Sequence, residues 1–266
     1  MLPIGGLGSL KFYDYCKLIG EKMKQKDSYL VTILVILLIS ISACSPKPNL
    51  SIEEHPIKTM DWEGEDLTFD PIEGNKEDIL AKHADDRSKQ AVSFSPPIGV
   101  GDDTLDAKES YNDNLVSVDV YRNGNLEMSI EAGVISPISN FRGLWKVDDH
   151  WFLEVAHVEE NPINPNAALI IWGEIYQDGE SLNEKYGYDE AFNFQILSDK
   201  PFYFFSKDGV MDYSYDGEET ELGYSEIPHY LCCSASAFNP LAAENMVTFY
   251  ASKGEQDFYV EIGDFE

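Results

Sequence analysis

Basic side chains are scarce in this chain of 266 residues, which has 19 lysines and arginines against 48 aspartates and glutamates. The formal net charge is −29 at pH 7. A protein that binds nucleic acid needs a basic surface that neutralises phosphates and releases their counterions. Docking on anionic lipid through charge needs such a surface too. The composition therefore argues against nucleic acid, and against charge-driven lipid binding.

Long apolar runs and the local signatures of several enzyme classes are also missing. The apolar segment at residues 29–42 is shorter than the roughly 20 residues that a membrane-spanning helix needs. The sequence has no serine nucleophile elbow, glycine-rich phosphate loop, HExxH motif or paired zinc knuckles. These absences weigh against an enzyme but do not exclude one, because glycosidase carboxylates leave no local signature.

The parts of an export signal follow one another at residues 22–44. Three lysines at 22, 24 and 26 precede the apolar run 29–42, and small residues at 42 and 43 precede Cys44. This order is typical of a secretory signal. The four residues 41–44, ISAC, resemble a bacterial lipobox, and the resemblance covers residues 23–44 only. A buried helix that ends in a chance cysteine is the alternative interpretation.

The lipobox resemblance implies that Cys44 carries the lipid and becomes the first residue of the mature chain. A multiply acylated cysteine, bearing palmitate among its chains, anchors a protein stably at a membrane. Ser45 stands where an aspartate would resemble an inner-membrane retention signal. We therefore expect an extracytoplasmic protein, lipid-anchored at the cell membrane or the outer surface. Met23 would begin a signal of ordinary length, which predicts that the true start follows residues 1–22.

Composition divides the rest of the chain at residue 112. Residues 44–112 contain four aromatic side chains and six of the 13 prolines, which predicts an acidic, partly disordered tether with one helix at 76–91. Residues 113–266 contain 25 aromatic side chains in 154 residues, the level of a folded core. The expected organisation is a signal region at 1–43, a lipidated tether at 44–112 and a folded domain at 113–266.

Short alternating segments separated by tight turns dominate residues 113–266. Asn123-Gly124, Asp178-Gly179, Asp208-Gly209, Asp216-Gly217 and Lys253-Gly254 are the predicted hairpin turns. The pattern predicts a mainly β domain of antiparallel hairpins, arranged as a sandwich or twisted meander with a minor helix. Two similar segments, whose Asp-Gly pairs lie 38 residues apart, leave a small propeller-like repeat as the alternative.

The segment from His229 to Cys233 concentrates reactive side chains. Cys232 and Cys233 are the two cysteines left after lipidation of Cys44 and removal of the signal. Adjacent cysteines close only into a strained ring, because their Cα atoms lie about 3.8 Å apart. Three interpretations stay open: two buried thiols, a vicinal disulfide, or a soft-metal site with His229.

Carboxylates offer two further hypotheses. The least arbitrary catalytic candidates for a glycosidase-like hydrolase are Asp148, Asp149, Glu154 and Glu190. The acidic residues near the Asp-Gly turns could bind Ca²⁺ through hard oxygen ligands, or could be solvated turn residues. These residues are Asp208, Asp212, Asp216, Glu218, Glu219 and Glu221. No cofactor is required by any motif.

Aromatic side chains favour a binding or interaction module over a hydrolase. Stacking platforms for a glycan or peptide ligand are predicted among the tryptophans and tyrosines of the β domain, with a core position as the alternative for each tryptophan. The candidates are Trp145, Trp151, Trp172, Tyr186 and Tyr188. Beyond the lipobox, residues 45–266 resemble no family that the sequence identifies.

Overall fold

The computed structural model describes residues 50–61, 68–71, 77–78, 81, 96–164, 167–230, 239–242 and 245–264. Leu50–Glu266 forms one compact unit. The described part of this unit is mainly β with little helix, as the alternating pattern predicts. Within the described residues, no helix combines the length and apolarity needed to cross a membrane.

The strands follow one another closely along the chain. Their bounds are β1 (Ser51–Asp61), β2 (Thr68–Pro71), β3 (Ile98–Val100), β4 (Asp103–Asn112), β5 (Leu115–Arg122), β6 (Asn125–Val134), β7 (Phe141–Val147), β8 (His150–Glu159), β9 (Ile170–Gln177), β10 (Glu180–Ser181), β11 (Glu190–Leu197), β12 (Lys200–Lys207), β13 (Val210–Tyr215), β14 (Glu218–Tyr224), β15 (Leu241–Ala242), β16 (Met246–Lys253) and β17 (Gln256–Gly263). Helix α1 (Leu182–Tyr186) begins after the N-cap Ser181 and ends at Gly187.

The described strands form three sheets. A five-stranded sheet has the order β15-β16-β17-β1-β2, and a four-stranded sheet has the order β11-β12-β13-β14. An eight-stranded sheet runs β10-β9-β8-β6-β5-β4-β3, with β7 paired to β8. The described pairings are antiparallel except where β6 meets β8 in parallel at Gly133 and Val158. Sheets of five, eight and four strands are not copies of one blade, so the propeller-like alternative is wrong.

The four-stranded sheet is buried on both faces, and its alternation separates two cores. On β12, Phe202 and Phe204 join a core with side chains of β16 and β17. Tyr203 and Phe205 point to the opposite face and join a core with side chains of β7, β8 and β9. This sheet therefore packs between the other two, and the eight-stranded sheet covers it at β11 and β12.

A third core lies within the eight-stranded sheet. Trp151, Leu153 and Val155 of β8 pack there with apolar side chains of β4, β5 and β6. Phe152 points the other way, into the core shared with β11 and β12. Residues 151–158 of β8 are all buried, because this strand contributes to cores on both of its faces.

The predicted boundary at residue 112 differs from the structure. β1 pairs with β17 from Ser51↔Gly263 onward, and β4 pairs with β5 along its whole length. Leu105 of β4 is completely buried. The tether prediction rested on few aromatics, but ladder hydrogen bonds and a few aliphatic side chains are enough to hold a strand in an existing sheet. Of the predicted helix at 76–91, only residues 77, 78 and 81 are described, and they are helical.

Four of the predicted turns have the backbone that their sequence requires. Both central residues have positive φ at Asn123-Gly124, Asp178-Gly179, Asp208-Gly209 and Asp216-Gly217. This is the type I′ conformation, which matches the twist of the paired strands and favours Asn-Gly and Asp-Gly. The last turn lies one residue later than expected, because Lys253 pairs with Gln256 and leaves Gly254 and Glu255 at its centre.

Gly133 gives a test of the junction between β6 and β8. Its φ is +95°, and an added Cβ would lie 1.9 Å from the carbonyl oxygen of Val158. We expect Gly133→Ala to lower the free energy of unfolding by more than about 3 kcal/mol, since clash and backbone strain add. Urea unfolding of the full chain measures this. Gly99→Ala is the control, because a Cβ there meets nothing within 4 Å. Equal stability of the two variants would contradict the close approach of Gly133 to the carbonyl of Val158.

Candidate functional site

A cleft of about 470 Å³ opens on the four-stranded sheet, between the ends of β12, β13 and β14. Phe205 and Asp212 lie opposite each other there, on the face that holds Tyr203 further along the sheet. Pockets for small ligands have volumes of about 300 to 1,000 Å³. The lining residues are Phe205, Lys207, Asp208, Val210, Asp212, Glu219, Thr220, Glu221 and Gly223.

An aromatic stack forms one side of the cleft. The rings of Phe205 and Tyr188 stack with centroids 4.2 Å apart. Burial, together with the neighbouring Tyr203 and Glu219, raises the pKa of Tyr188. The neutral Tyr188 hydroxyl donates a hydrogen bond of 2.8 Å to Glu219. The stack therefore fixes the position of a cleft carboxylate.

Asp212 has a structural role in the cleft. Its Oδ1 accepts hydrogen bonds from the backbone N–H groups of Leu222 and Gly223, at 2.7 and 3.1 Å. The register between β13 and β14 shifts here, between Met211 and Tyr213. The carboxylate thus accepts hydrogen bonds from two backbone N–H groups that the irregular strand pairing leaves without a strand partner.

The remaining charged groups give the cleft an acidic surface. Asp208 and Glu221 are exposed, and within the described residues neither carboxylate makes a hydrogen bond or an ion pair. Lys207 is the one basic residue of the lining, and its Nζ donates a 3.0 Å hydrogen bond to the carbonyl of Tyr186. Four carboxylates therefore face a single ammonium group that already has an acceptor.

Two of the predicted binding residues lie beside this cleft. Tyr186 is 40% exposed, and its ring lies 5.5 Å from that of Tyr188. Tyr188 itself is buried in the side of the cleft. Tyr186 therefore offers an accessible aromatic face at the C-terminal end of α1, next to Tyr188 and outside the lining of the cleft.

The three predicted tryptophans lie elsewhere. Trp151 is 3% exposed and belongs to a core, so it offers no face to a ligand. Trp145 is half-buried, and its ring packs 5.0 Å from Phe194. Trp172 is half-buried and stacks on His157 at 4.0 Å. The structure brings none of these three indoles to the acidic cleft.

The four catalytic candidates lie in two different environments. Asp148 and Asp149 are exposed in the turn between β7 and β8, as a solvated turn predicts. Glu154 is 3% exposed. Its oxygens accept the backbone N–H groups of Asn193 and Phe194, at 3.0 and 2.6 Å, where β11 bulges.

Glu154 and Glu190 are linked through two consecutive residues. The Tyr230 hydroxyl donates to Glu154, while His229 Nε2 lies 3.2 Å from Glu190 Oε2. His229 Nδ1 donates to the carbonyl of Ile227, and its ring stacks on Phe192. His229 thus has protein partners at both nitrogens. Cys44, Cys232 and Cys233 lie outside the described residues.

The predicted calcium ligands divide between cleft and surface. Asp208, Asp212, Glu219 and Glu221 line the cleft. Asp216 instead lies 3.5 Å from the Nζ of Lys200. Glu218 begins β14 outside the lining.

A buried network on β8 and β9 has no counterpart among the predicted sites. Glu174 receives hydrogen bonds from the hydroxyls of Tyr176 and Ser181, at 2.6 and 2.5 Å, and lies 2.8 Å from His157 Nε2. Burial opposes ionisation of Glu174, but these hydrogen bonds outweigh it and hold its pKa below the ordinary value. In the sequence, the alternation of Glu174 and Tyr176 along β9 is the one sign that these two side chains share a face and could belong to such a network.

A second group missed by the sequence lies on β1 and β17. Ligand atoms of Glu53, His55 and Glu261 all lie within 4.8 Å of one another. Glu53 and Glu261 are directly opposed across the two strands. Imidazole and carboxylate groups suit divalent metal ions, but Glu261 already accepts a 3.0 Å hydrogen bond from Tyr259.

Comparisons with known proteins give no relative. No family model, curated protein or solved structure matches the chain.

The Glu174 network predicts a pH dependence. Because the folded pKa lies below the ordinary value of 4.5, folded protein holds this proton less strongly than unfolded protein. Its contribution to stability is present above pH of about 4.5 and is lost as the pH falls through the folded pKa. We expect Glu174→Gln to lower stability at pH 7 by about 1 to 3 kcal/mol and to flatten the acid slope of urea unfolding. Exposed Glu131→Gln is the control, and an unchanged slope in Glu174→Gln would contradict the network.

Proposed function

We propose that the chain is an exported lipoprotein, anchored through Cys44, whose β-rich unit binds a ligand in the acidic cleft of β12–β14. The observation that carries the binding role is the cleft itself, an opening of about 470 Å³ whose lining includes the exposed side chains of Asp208, Val210 and Glu221. Its size suits a small ligand or a short part of a larger one. The exposed carboxylates of Asp208 and Glu221 provide hydrogen-bond acceptors, and Val210 provides an apolar contact.

Binding is favoured over hydrolysis by the state of the carboxylates. Asp148 and Asp149 are solvated in a turn, while Glu154 is committed to the β11 bulge. Within the cleft, Asp212 is committed to the β14 backbone, and Glu219 to Tyr188. Hydrolysis of a glycoside needs one carboxyl group to give up a proton and a second to act as base or nucleophile. Carboxylates that already accept hydrogen bonds from the protein are poorly suited to either role.

The anchor is supported by the order of basic residues, apolar run and small residues before Cys44. Cells expressing the chain with radioactive palmitate should label the wild type and lose the label in Cys44→Ala. The physical reason is that the thiol and the new N-terminus of Cys44 carry the acyl groups. Cys232→Ala is the control and should keep the label. A labelled Cys44→Ala chain would refute the anchor.

The binding role is tested by filling the cleft. Val210 lines it and is 39% exposed, so Val210→Arg places a long side chain across the opening. Two probes are added to the isotope-labelled full chain: penta-lysine and chitotetraose. We expect at least one probe to shift the backbone amide resonances of residues 205–223 in nuclear magnetic resonance spectra. The affinity of the chain for that probe should fall about tenfold or more in the Val210→Arg variant. Leu126→Arg, at an exposed position on β6, should bind normally. Binding unaffected by Val210→Arg, or no binding of either probe, would overturn the proposal.

A further inference from the structure

Side chains that can bind a metal ion alternate along two neighbouring strands of the five-stranded sheet. Glu53 and His55 are two residues apart on β1, so they lie on one face of that sheet. On β17, Glu261 is directly opposite Glu53, and Tyr259 is directly opposite His55. Val260, between them on β17, belongs to the core shared with the four-stranded sheet. The polar group therefore lies on the face turned away from that core.

The ligand atoms are close enough for one metal ion to reach all three. An imidazole nitrogen of His55 and carboxylate oxygens of Glu53 and Glu261 lie within 4.8 Å of one another, and His55 Nε2 is 3.9 Å from Glu53 Oε2. A point between three such atoms is at most about 2.8 Å from each, and zinc binds imidazole and carboxylate groups at about 2.0 to 2.2 Å. Small rotations of the side chains are therefore enough to complete the bonds.

The charges of the group favour a divalent cation. Carboxylates directly opposite each other on neighbouring strands repel, and Glu53 and Glu261 are opposed in this way. Glu261 is only 3% exposed, so water screens its charge poorly. The net charge of −29 for the whole chain adds to the repulsion. A doubly positive ion between the two carboxylates neutralises both, whereas a proton on His55 supplies one positive charge.

The buried carboxylate is held by a neighbouring hydroxyl. Tyr259 donates a 3.0 Å hydrogen bond to Oε1 of Glu261. Burial, together with Glu261, raises the pKa of Tyr259, so the hydroxyl keeps the proton that it donates. A carboxylate has about four acceptor positions, so this hydrogen bond does not prevent metal binding. Carboxylates that bind metals are commonly oriented by such a second layer of side chains.

A buried hydroxyl beside the group gives a second indication of a ligand. Thr248 of β16 is directly opposite Glu261 and is 1% exposed. Its Oγ1 is close to the Tyr259 hydroxyl, but among the described residues no atom meets hydrogen-bond geometry with it. Buried polar atoms in folded proteins nearly always have a partner. A water bound to a metal ion would provide one, because three protein ligands leave a coordination position open.

The group is accessible to an ion from the solvent. The side chains of Glu53 and His55 are 57% and 29% exposed, while Glu261 forms the buried base of the group. We propose that Glu53, His55 and Glu261 form a zinc site, with a water molecule as the fourth ligand. The imidazole distinguishes this site from a calcium site, since Ca²⁺ takes about six to eight oxygen ligands. The inference does not depend on the acidic cleft.

The site is tested with two variants of the full chain that each remove one ligand. Glu53→Gln and His55→Gln should weaken zinc binding about tenfold or more, measured by calorimetry in enough salt to screen the general acidic field. His150→Gln is the matched control, because it removes an exposed imidazole that lies 2.5 Å from Asp178. It should leave the affinity unchanged. Cys232→Ala with Cys233→Ala should also keep this zinc ion, which excludes the thiols as its ligands.

A second measurement needs no variant. In the wild type, zinc should shift the backbone amide resonances of residues 53–55 and 259–261. It should also raise the midpoint of thermal unfolding, because an ion that binds only the folded chain stabilises it. Calcium at the same concentration should do neither.

Four results would overturn the inference. The first is a wild type that binds no zinc, and the second is equal zinc affinity in the wild type, Glu53→Gln and His55→Gln. The third is a set of amide shifts spread over the acidic surface and equal for zinc and calcium, which would show attraction by general charge only. The fourth is loss of zinc binding in the double cysteine variant alone, which would assign the ion to the thiols.

Discussion

The burial of β12 on both faces is the constraint on which the other features depend. Phe202 and Phe204 of β12 face the five-stranded sheet, while Tyr203 and Phe205 face the eight-stranded sheet. Every side chain in the middle of the strand is therefore committed to one core or the other. The acidic cleft forms on the second face, where β12 ends at Lys207 and charged side chains replace apolar ones.

Packing a sheet between two others brings its irregular backbone into the interior, where donors need acceptors. The bulge in β11 leaves the N–H groups of Asn193 and Phe194 outside the ladder, and the buried Glu154 accepts both. Asp212 does the same for Leu222 and Gly223 in β14. Glu154, a catalytic candidate in the sequence, and Asp212, a calcium candidate, thus hold strand irregularities, because a charged acceptor makes stronger hydrogen bonds than a neutral one.

Local features were predictable from the sequence, whereas features that depend on distant partners were not. Asp208-Gly209 predicted its turn because positive φ is a property of those two residues. The strand at 51–61 was missed because its partner β17 lies at the other end of the chain. Trp151 could not be assigned to a core by alternation, since β8 is buried on both faces and its apolar run carries no period.

The site was predictable only in its parts. Asp208, Asp212, Glu219 and Glu221 stood out as an acidic group, and Tyr186 and Tyr188 as an aromatic one, but no feature of the sequence linked the two groups. They meet because β12 to β14 form a meander and α1 ends beside it, so that Tyr188 stacks on Phe205 and donates to Glu219. Residues 186–188 and residue 219 are far apart in the sequence, and the strand pairing of the meander makes them neighbours.

The acidic residues have different effects at the cleft and over the rest of the surface. Residues 113–266 carry 29 acidic and seven basic side chains, and this excess repels an anionic membrane and keeps the unit soluble. On the proposed function, the lipid on Cys44 opposes that repulsion and holds the unit near the membrane. A general field of this kind attracts any cation, so it gives no specificity by itself. Specificity requires a place where charge and shape coincide, and the cleft lined by the exposed carboxylates of Asp208 and Glu221 combines the two.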